Sequence, residues 1–200
     1  MAKRGSHLSV ERLGILGGTF DPVHVGHLAA ASAARHHLGL GRVLLVVAGD
    51  PWQKHGLVVA PAEARYEMVA AALDGVEGIE ASRLEVDRPG PTYTMDTVDQ
   101  LRAPDRELFL IVGADVAARI ETWDRVNELR NAVTLAIVDR DDGRAAESPD
   151  GWRAVPVPMP RIDVSSTDLR RRVAEGAPVE FLMPLPAVRV LRERGLYTAH

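Results

Sequence analysis

Residues 42–48, Arg-Val-Leu-Leu-Val-Val-Ala, run almost without interruption through apolar side chains. A strand with one wet face would alternate polar and apolar residues. An unbroken aliphatic run instead fits a strand covered on both faces, the environment of a parallel sheet. Runs of the same kind recur at Leu13–Leu16, Glu107–Val112 and Ala132–Val138. Between them lie stretches with helical spacing: Ala29–Leu38, Ala62–Leu73 with Tyr66, Val69, Ala70 and Leu73 on one stripe, and Met95–Leu101. Strands alternating with helices predict an α/β fold, a doubly wound parallel sheet in a single domain. Ile79–Val86 mixes charged and apolar residues and reads as an edge strand. Val155–Pro160 holds too many prolines for a central strand and reads as an edge strand or extended connector. A last helix, Pro186–Arg194, stops at Gly195.

Length and charge narrow the class. The 200 residues suit one such domain, with residues 10–200 folded and the polar residues 1–9 a flexible tail. A net charge of −4 argues against a general nucleic-acid binder. The absence of cysteine rules out a disulfide framework and thiolate metal sites, and suits a cytoplasmic protein. Neither a signal peptide nor a membrane-spanning run is apparent, so no membrane partner is expected. Asp139–Gly151 is polar and reads as a mobile loop. Nothing in the sequence fixes an oligomeric state.

Residues 17–28, Gly-Gly-Thr-Phe-Asp-Pro-Val-His-Val-Gly-His-Leu, link the first strand to the first helix. Gly17 and Gly18 allow the backbone to turn and to approach a ligand. Pro22 and Gly26 interrupt regular structure. His24 and His27 are three apart where the helix should begin, so a helical first turn would set both imidazoles on one face. The unpaired N–H groups of a helix start favour an anion. Glycines, two histidines and a helix N-terminus together point to a polyphosphate. Read instead as metal ligands, His24 and His27 have no third ligand nearby. His36 and His37 fall at the helix end, where positive charge suits the dipole.

A second constellation is Asp163-Val-Ser-Ser-Thr-Asp-Leu-Arg-Arg-Arg-Val173. Ser165 or Ser166 can cap a helix, with Asp168 close to a capping-box position. The hydroxyls and amides of Ser165, Ser166 and Thr167 form another anion site, and the forked guanidinium of Arg170 fits a phosphate. Arg171 and Arg172 read as a solvated face. Lys54, in the loop Pro51–Gly56, can reach phosphates at a strand's carboxyl end, where open α/β sheets bind ligands. Asp115, just past the strand Glu107–Val112 and the Gly113 that follows it, can accept hydrogen bonds from ribose hydroxyls. Thr94 is placed to cap the helix after a rigid Pro/Gly loop, and such a helix start suits a carboxylate.

Val-His-Val-Gly-His resembles the (T/H)xGH signature of the nucleotidyltransferase superfamily, and the longer stretch from Gly17 resembles one branch, the bacterial nicotinate mononucleotide adenylyltransferases. Further resemblances follow in order: Pro-x-x-Lys at Pro51–Lys54, with Gln53 where the family usually has His; Arg65-Tyr66-Glu67-Met68; Tyr93-Thr94-x-Asp96-Thr97; Ile111-x-Gly113-x-Asp115 followed by Trp123; and the Ser165-Ser166-Thr167-x-Leu169-Arg170 stretch, where Val164 and Leu169 replace isoleucines. The likeness spans residues 12 to about 197. It implies a Rossmann-like nucleotidyltransferase fold and adenylyl transfer from ATP to nicotinate mononucleotide, with Mg²⁺ accompanying ATP. It implies that Gly18, Thr19, Phe20, His24, His27, Gly113, Asp115, Ser165, Ser166, Thr167 and Arg170 bind ATP. Tyr93, Thr94 and Trp123 would bind the mononucleotide, with Trp123 as a platform for the pyridine ring. His24, His27, Lys54 and Arg170 would serve the transfer itself, and no protein metal ligand is implied. The competing readings are an adenylyltransferase acting on nicotinamide mononucleotide or pantetheine phosphate, a non-catalytic nucleotide sensor, and a metal-dependent hydrolase built on the two histidines.

Overall fold

The computed structural model describes residues 10–51, 59–139 and 148–198. The calls on the tail 1–9, on Trp52–Gly56 with Lys54, and on most of the loop 139–151 fall outside these residues. Six strands form one sheet in the order β4-β2-β1-β6-β7-β8, and every pairing in it is parallel. They are β1 (Glu11–Gly18), β2 (Arg42–Val47), β4 (Ile79–Ser82), β6 (Arg106–Gly113), β7 (Thr134–Asp139) and β8 (Ala154–Pro158). β3 (Asp50–Pro51) and β5 (Pro91–Thr92) make a separate two-stranded ribbon. The chain winds outward from β1 through β2 to β4, then returns to the middle and winds the other way through β6, β7 and β8. The order reverses between β1 and β6, which is where open α/β sheets take their ligands.

The aliphatic runs are covered on both faces. Alternate residues of each strand serve two cores. Leu16, Val43, Leu45, Phe109, Ile111, Ala136 and Val138 pack with α1 (Val25–Leu38), α2 (Ala62–Leu73), α6 (Ser166–Ala174) and α7 (Leu185–Glu193). Leu13, Ile15, Leu44, Val46, Leu110, Val112, Leu135 and Ile137 pack with α3 (Thr94–Leu101), α4 (Ala114–Ala117) and α5 (Val126–Ala132). The doubly wound parallel sheet is therefore present. β8 is an edge strand, as its prolines require, and β4 is the opposite edge.

Some boundaries move for physical reasons. α1 begins four residues before the alanine-rich run, because His24 already caps it. β4 ends at Ser82 rather than Val86: residues 84–86 turn, and Glu85 is carried inward to Thr97. On α2 the buried stripe is Ala64, Arg65, Met68, Val69, Ala72 and Leu73. Tyr66 and Ala70 lie at its margin, because a charged residue, Arg65, occupies the centre of the docking face.

Candidate active site

A cleft of about 610 Å³ opens at the carboxyl ends of β1 and β6. Its walls bring together most of the residues singled out from the sequence: Gly18, Thr19, His24, His27, Tyr93, Thr94, Gly113, Asp115, Trp123, Ser165, Ser166, Thr167 and Arg170. Among the described residues Phe20 is the exception. Its ring is 1% exposed and packs in the core beneath Gly18, edge-on to His27 at 4.9 Å between centroids. Any contact of Phe20 with a nucleotide therefore runs through its main chain.

The histidine pair is built by the helix start. His24 has extended backbone (φ −146°, ψ 169°) and caps α1; His27 sits one turn in. The two rings stack with centroids 3.7 Å apart and planes 23° from parallel. The His24 amide donates to His27 Nδ1 at 3.2 Å. An Nδ1 that accepts leaves the proton of neutral His27 on Nε2, which makes Nε2 the donor. His24 is 3% exposed. Gly26 lies against it: a Cβ there would stand 3.1 Å from His24 Nδ1, so the glycine of the motif makes room for the imidazole.

α6 delivers the second cluster. Ser165 caps it, its Oγ accepting from the Asp168 amide at 3.1 Å, as the capping pattern predicts. Ser166 Oγ donates to the Pro22 carbonyl at 2.9 Å, and Arg170 Nη1 donates to the Asp21 carbonyl at 2.7 Å. These two bonds close residues 21–22 onto 166–170 across more than 140 positions of sequence. Arg170 Nη2 also reaches Thr167 Oγ1 at 3.3 Å. Arg171 and Arg172 point elsewhere, into ion pairs with Asp168 and Glu175. Those pairs hold the Asp168 carboxyl below its usual range, Arg172 first and Arg171 second.

The far wall is the α3 corner. Thr94 does not cap α3: Tyr93 is the capping residue, Thr94 is the first helical residue, and no side chain caps the helix. The extended backbone of Tyr93 (φ −117°, ψ 138°) continues the β5 direction and sets the helix start one residue early. Trp123 follows a 3-10 turn (Ile120–Thr122), packs partly on the second core and lines the cleft. Asp115 is exposed at the start of α4.

Three residues of this region carry no site role in the sequence reading. Glu85 is 8% exposed, lines the cleft and accepts from Thr97 Oγ1 at 2.7 Å. Burial pushes its carboxyl up, against the pull of Thr97 and Arg88. Arg65, 1% exposed, donates to the carbonyls of Thr19 (2.7 Å), Ala60 (3.0 Å) and Gly49 (3.1 Å). Asp21, 2% exposed, accepts from the Val59 and Ala60 amides at 2.8 and 3.1 Å. An arginine within an otherwise apolar helical stripe was a usable signal for Arg65. Glu85 and Asp21 gave none, since single acids in loops are ordinary.

Among the described residues no group of three or more His, Asp or Glu is placed to hold a metal ion, and no helix is long and apolar enough to cross a membrane. The cytidylyltransferase-like family model matches residues 15–172. The chain is 44% identical over 190 residues to a probable nicotinate-nucleotide adenylyltransferase of Saccharopolyspora erythraea, covering 93% of this chain and 89% of that protein. It is 44% identical over 188 residues to one of Thermus thermophilus, covering 93% and 99%. Its fold matches the Plasmodium falciparum nicotinic acid mononucleotide adenylyltransferase solved with NaAD, with a TM-score of 0.74 at 16% identity over 94% and 97% of the two chains. A two-way-wound sheet, a histidine pair capping its first helix and a sequence match over nearly the whole chain agree: the chain belongs to the nicotinate-nucleotide adenylyltransferases, within the cytidylyltransferase-like family.

Proposed function

We propose that the protein transfers the adenylyl group of ATP to nicotinate mononucleotide, forming nicotinate adenine dinucleotide and pyrophosphate, a step of NAD biosynthesis. The observation that carries this reading is the single cleft that joins a phosphate-type end, His24, His27 and Arg170, to a ring-binding end, Tyr93, Thr94 and Trp123. A 5′-phosphate oxygen of the mononucleotide attacks the α-phosphorus in line. The bond from that phosphorus to the α–β bridging oxygen breaks, and the oxygen leaves with pyrophosphate. Such a transfer asks the protein for alignment and charge neutralisation rather than for a covalent group. His27 Nε2–H and the Arg170 fork stabilise charge on the leaving group, and the amides near Thr19 and Phe20 hold the nucleotide. The reading includes Lys54 as a further cation at the phosphates. Mg²⁺ would come with ATP as part of the substrate and would supply charge neutralisation at the phosphates. The reading includes the cytoplasm as the compartment of the reaction.

The acid is the preferred pyridine nucleotide. The α3 start offers N–H donors, which suit a carboxylate with two acceptor oxygens, whereas a carboxamide turns its own donors toward them. The test is incubation with ATP, Mg²⁺ and either mononucleotide while following pyrophosphate. Release with the acid at the higher kcat/KM supports the reading. Equal values or a preference for the amide overturn the acid preference, and no release with either overturns adenylyl transfer.

A further inference from the structure

In the wall of the cleft's phosphate end lies a buried carboxylate to which the proposed reaction gives no role, Asp21. Asp21 sits in the turn between β1 and α1. Its Oδ2 accepts from the Val59 amide at 2.8 Å; its Oδ1 accepts from the Ala60 amide at 3.1 Å and from the Tyr197 hydroxyl at 2.7 Å. Arg170 Nη1 stands 3.7 Å from Oδ2 but donates, at 2.7 Å, to the main-chain carbonyl of the same residue. Arg65 crosses behind the turn and spends its donors on the Thr19, Ala60 and Gly49 carbonyls. Tyr197 comes from the end of the chain, past α7, with its ring half-buried against the first core.

A carboxylate offers about four lone-pair sites. Three neutral donors already satisfy this one, so it does not need the guanidinium beside it. That matters because the strongest partner available to a buried carboxylate is a bidentate arginine. An Arg170 drawn into such a pair with Asp21 would turn its fork away from the cleft. The Tyr197 hydroxyl supplies the third donor. Burial and the neighbouring Asp21 carboxylate both push its pKa up, so it stays protonated and continues to donate.

We propose that Tyr197 is a positioning residue for adenylyl transfer: by donating to Asp21 it keeps Arg170 turned to the cleft, where the triphosphate needs it. The role rests on the reading of Arg170 as a triphosphate ligand. Tyr197 touches no substrate and acts through Asp21 and Arg170.

Tyr197→Phe keeps the ring and removes only the donor. At saturating substrates its kcat falls about tenfold, below the hundredfold that an ångström of misplacement can cost. KM for the mononucleotide and Tm stay close to wild type, because neither the pyridine end nor the packing changes. On an Arg170→Lys background the same substitution has little further effect on kcat, since the residue through which it acts is already lost. An unchanged kcat in Tyr197→Phe overturns the proposal. So does a loss that multiplies in full with that of Arg170→Lys, or one that merely follows a fall in Tm. A wild-type enzyme that releases no pyrophosphate overturns the reaction itself, whereas an active wild type with an unaffected Tyr197→Phe overturns only the positioning role.

Discussion

Arg170→Lys isolates what the guanidinium fork does. The arginine makes two kinds of contact at once: Nη1 holds the Asp21 carbonyl at 2.7 Å and Nη2 reaches Thr167 Oγ1 at 3.3 Å, while the side chain, 23% exposed, lines the cleft. A lysine keeps the charge but presents one compact ammonium. It can hold the carbonyl or reach a phosphate, and doing one pulls it from the other. The substitution therefore removes about one hydrogen bond to a charged group, about 1.5–3 kcal/mol. If that bond tightens as pyrophosphate charge develops, kcat/KM for ATP falls by about tenfold to somewhat over a hundredfold. Stability changes by only about 1 kcal/mol, the net worth of one partly exposed hydrogen bond. The assay is initial-rate pyrophosphate release over a range of ATP, with Tm measured on the same preparation. Arg171→Ala is the control: its side chain is 57% exposed, and its partners Asp168 and Glu175 lie on the surface, where ion pairs contribute little. A lysine variant within twofold of wild type, or an alanine at 171 that does the greater damage, would refute the assignment of the helix face.

His27→Ala should lower kcat more than it weakens ATP binding, by about 2.7–4 kcal/mol if it acts as one preorganised donor; a near-normal kcat argues against that role. Thr94→Val should narrow the kcat/KM gap between acid and amide mononucleotides, while Trp123→Ala should weaken both alike, so a change in preference at Trp123 would count against a stacking platform. Glu85 carries a carboxyl pushed above its usual 4.5 by burial. The native state therefore binds its proton more tightly than the unfolded chain, and this group's contribution to stability falls as pH rises from about 4.5 through the raised value. Glu85→Gln should remove that slope, seen as a flatter Tm profile than wild type over the same interval, and parallel profiles would contradict it.

The sheet was legible because its strands are buried on both faces, which writes aliphatic runs such as 42–47 directly into the sequence. The edges were legible for the opposite reason: prolines at 156 and 158 and the charge of Glu80 in 79–82 mark strands that are not enclosed. The two helix starts that line the cleft could be read because helix caps are local. Ser165 and Asp168 are three apart, as are His24 and His27, so spacing alone predicts that they meet. Thr94 shows the limit of that reasoning. A hydroxyl one residue inside the helix looks the same in sequence as one at its cap, and the β5 ribbon decides between them. Contacts made only by the fold left no local mark. Arg65 binds carbonyls 46 and 16 residues away, and Asp21 meets a hydroxyl 176 residues on.

Those long-range contacts also tie the two motifs together at one cleft. The reversal between β1 and β6 lets chain segments from both halves of the fold approach the same sheet edge, but proximity at a switch point leaves several ångströms of freedom. Ser166 and Arg170 remove it by binding the carbonyls of Pro22 and Asp21, the residues just before the histidine pair. Bonds to main chain fix position without consuming the histidines. Arg170 retains donors beyond the one given to Asp21, so a triphosphate can be met by a guanidinium already placed. The ordering entropy of a long side chain is then largely a cost of folding rather than of catalysis. A motif at residues 165–170 that served only to bind phosphate would not need to hold the turn at 21–22. Its hold on that turn makes the distance between the His27 imidazole and the Arg170 guanidinium a property of the folded chain, and in-line transfer depends on that distance.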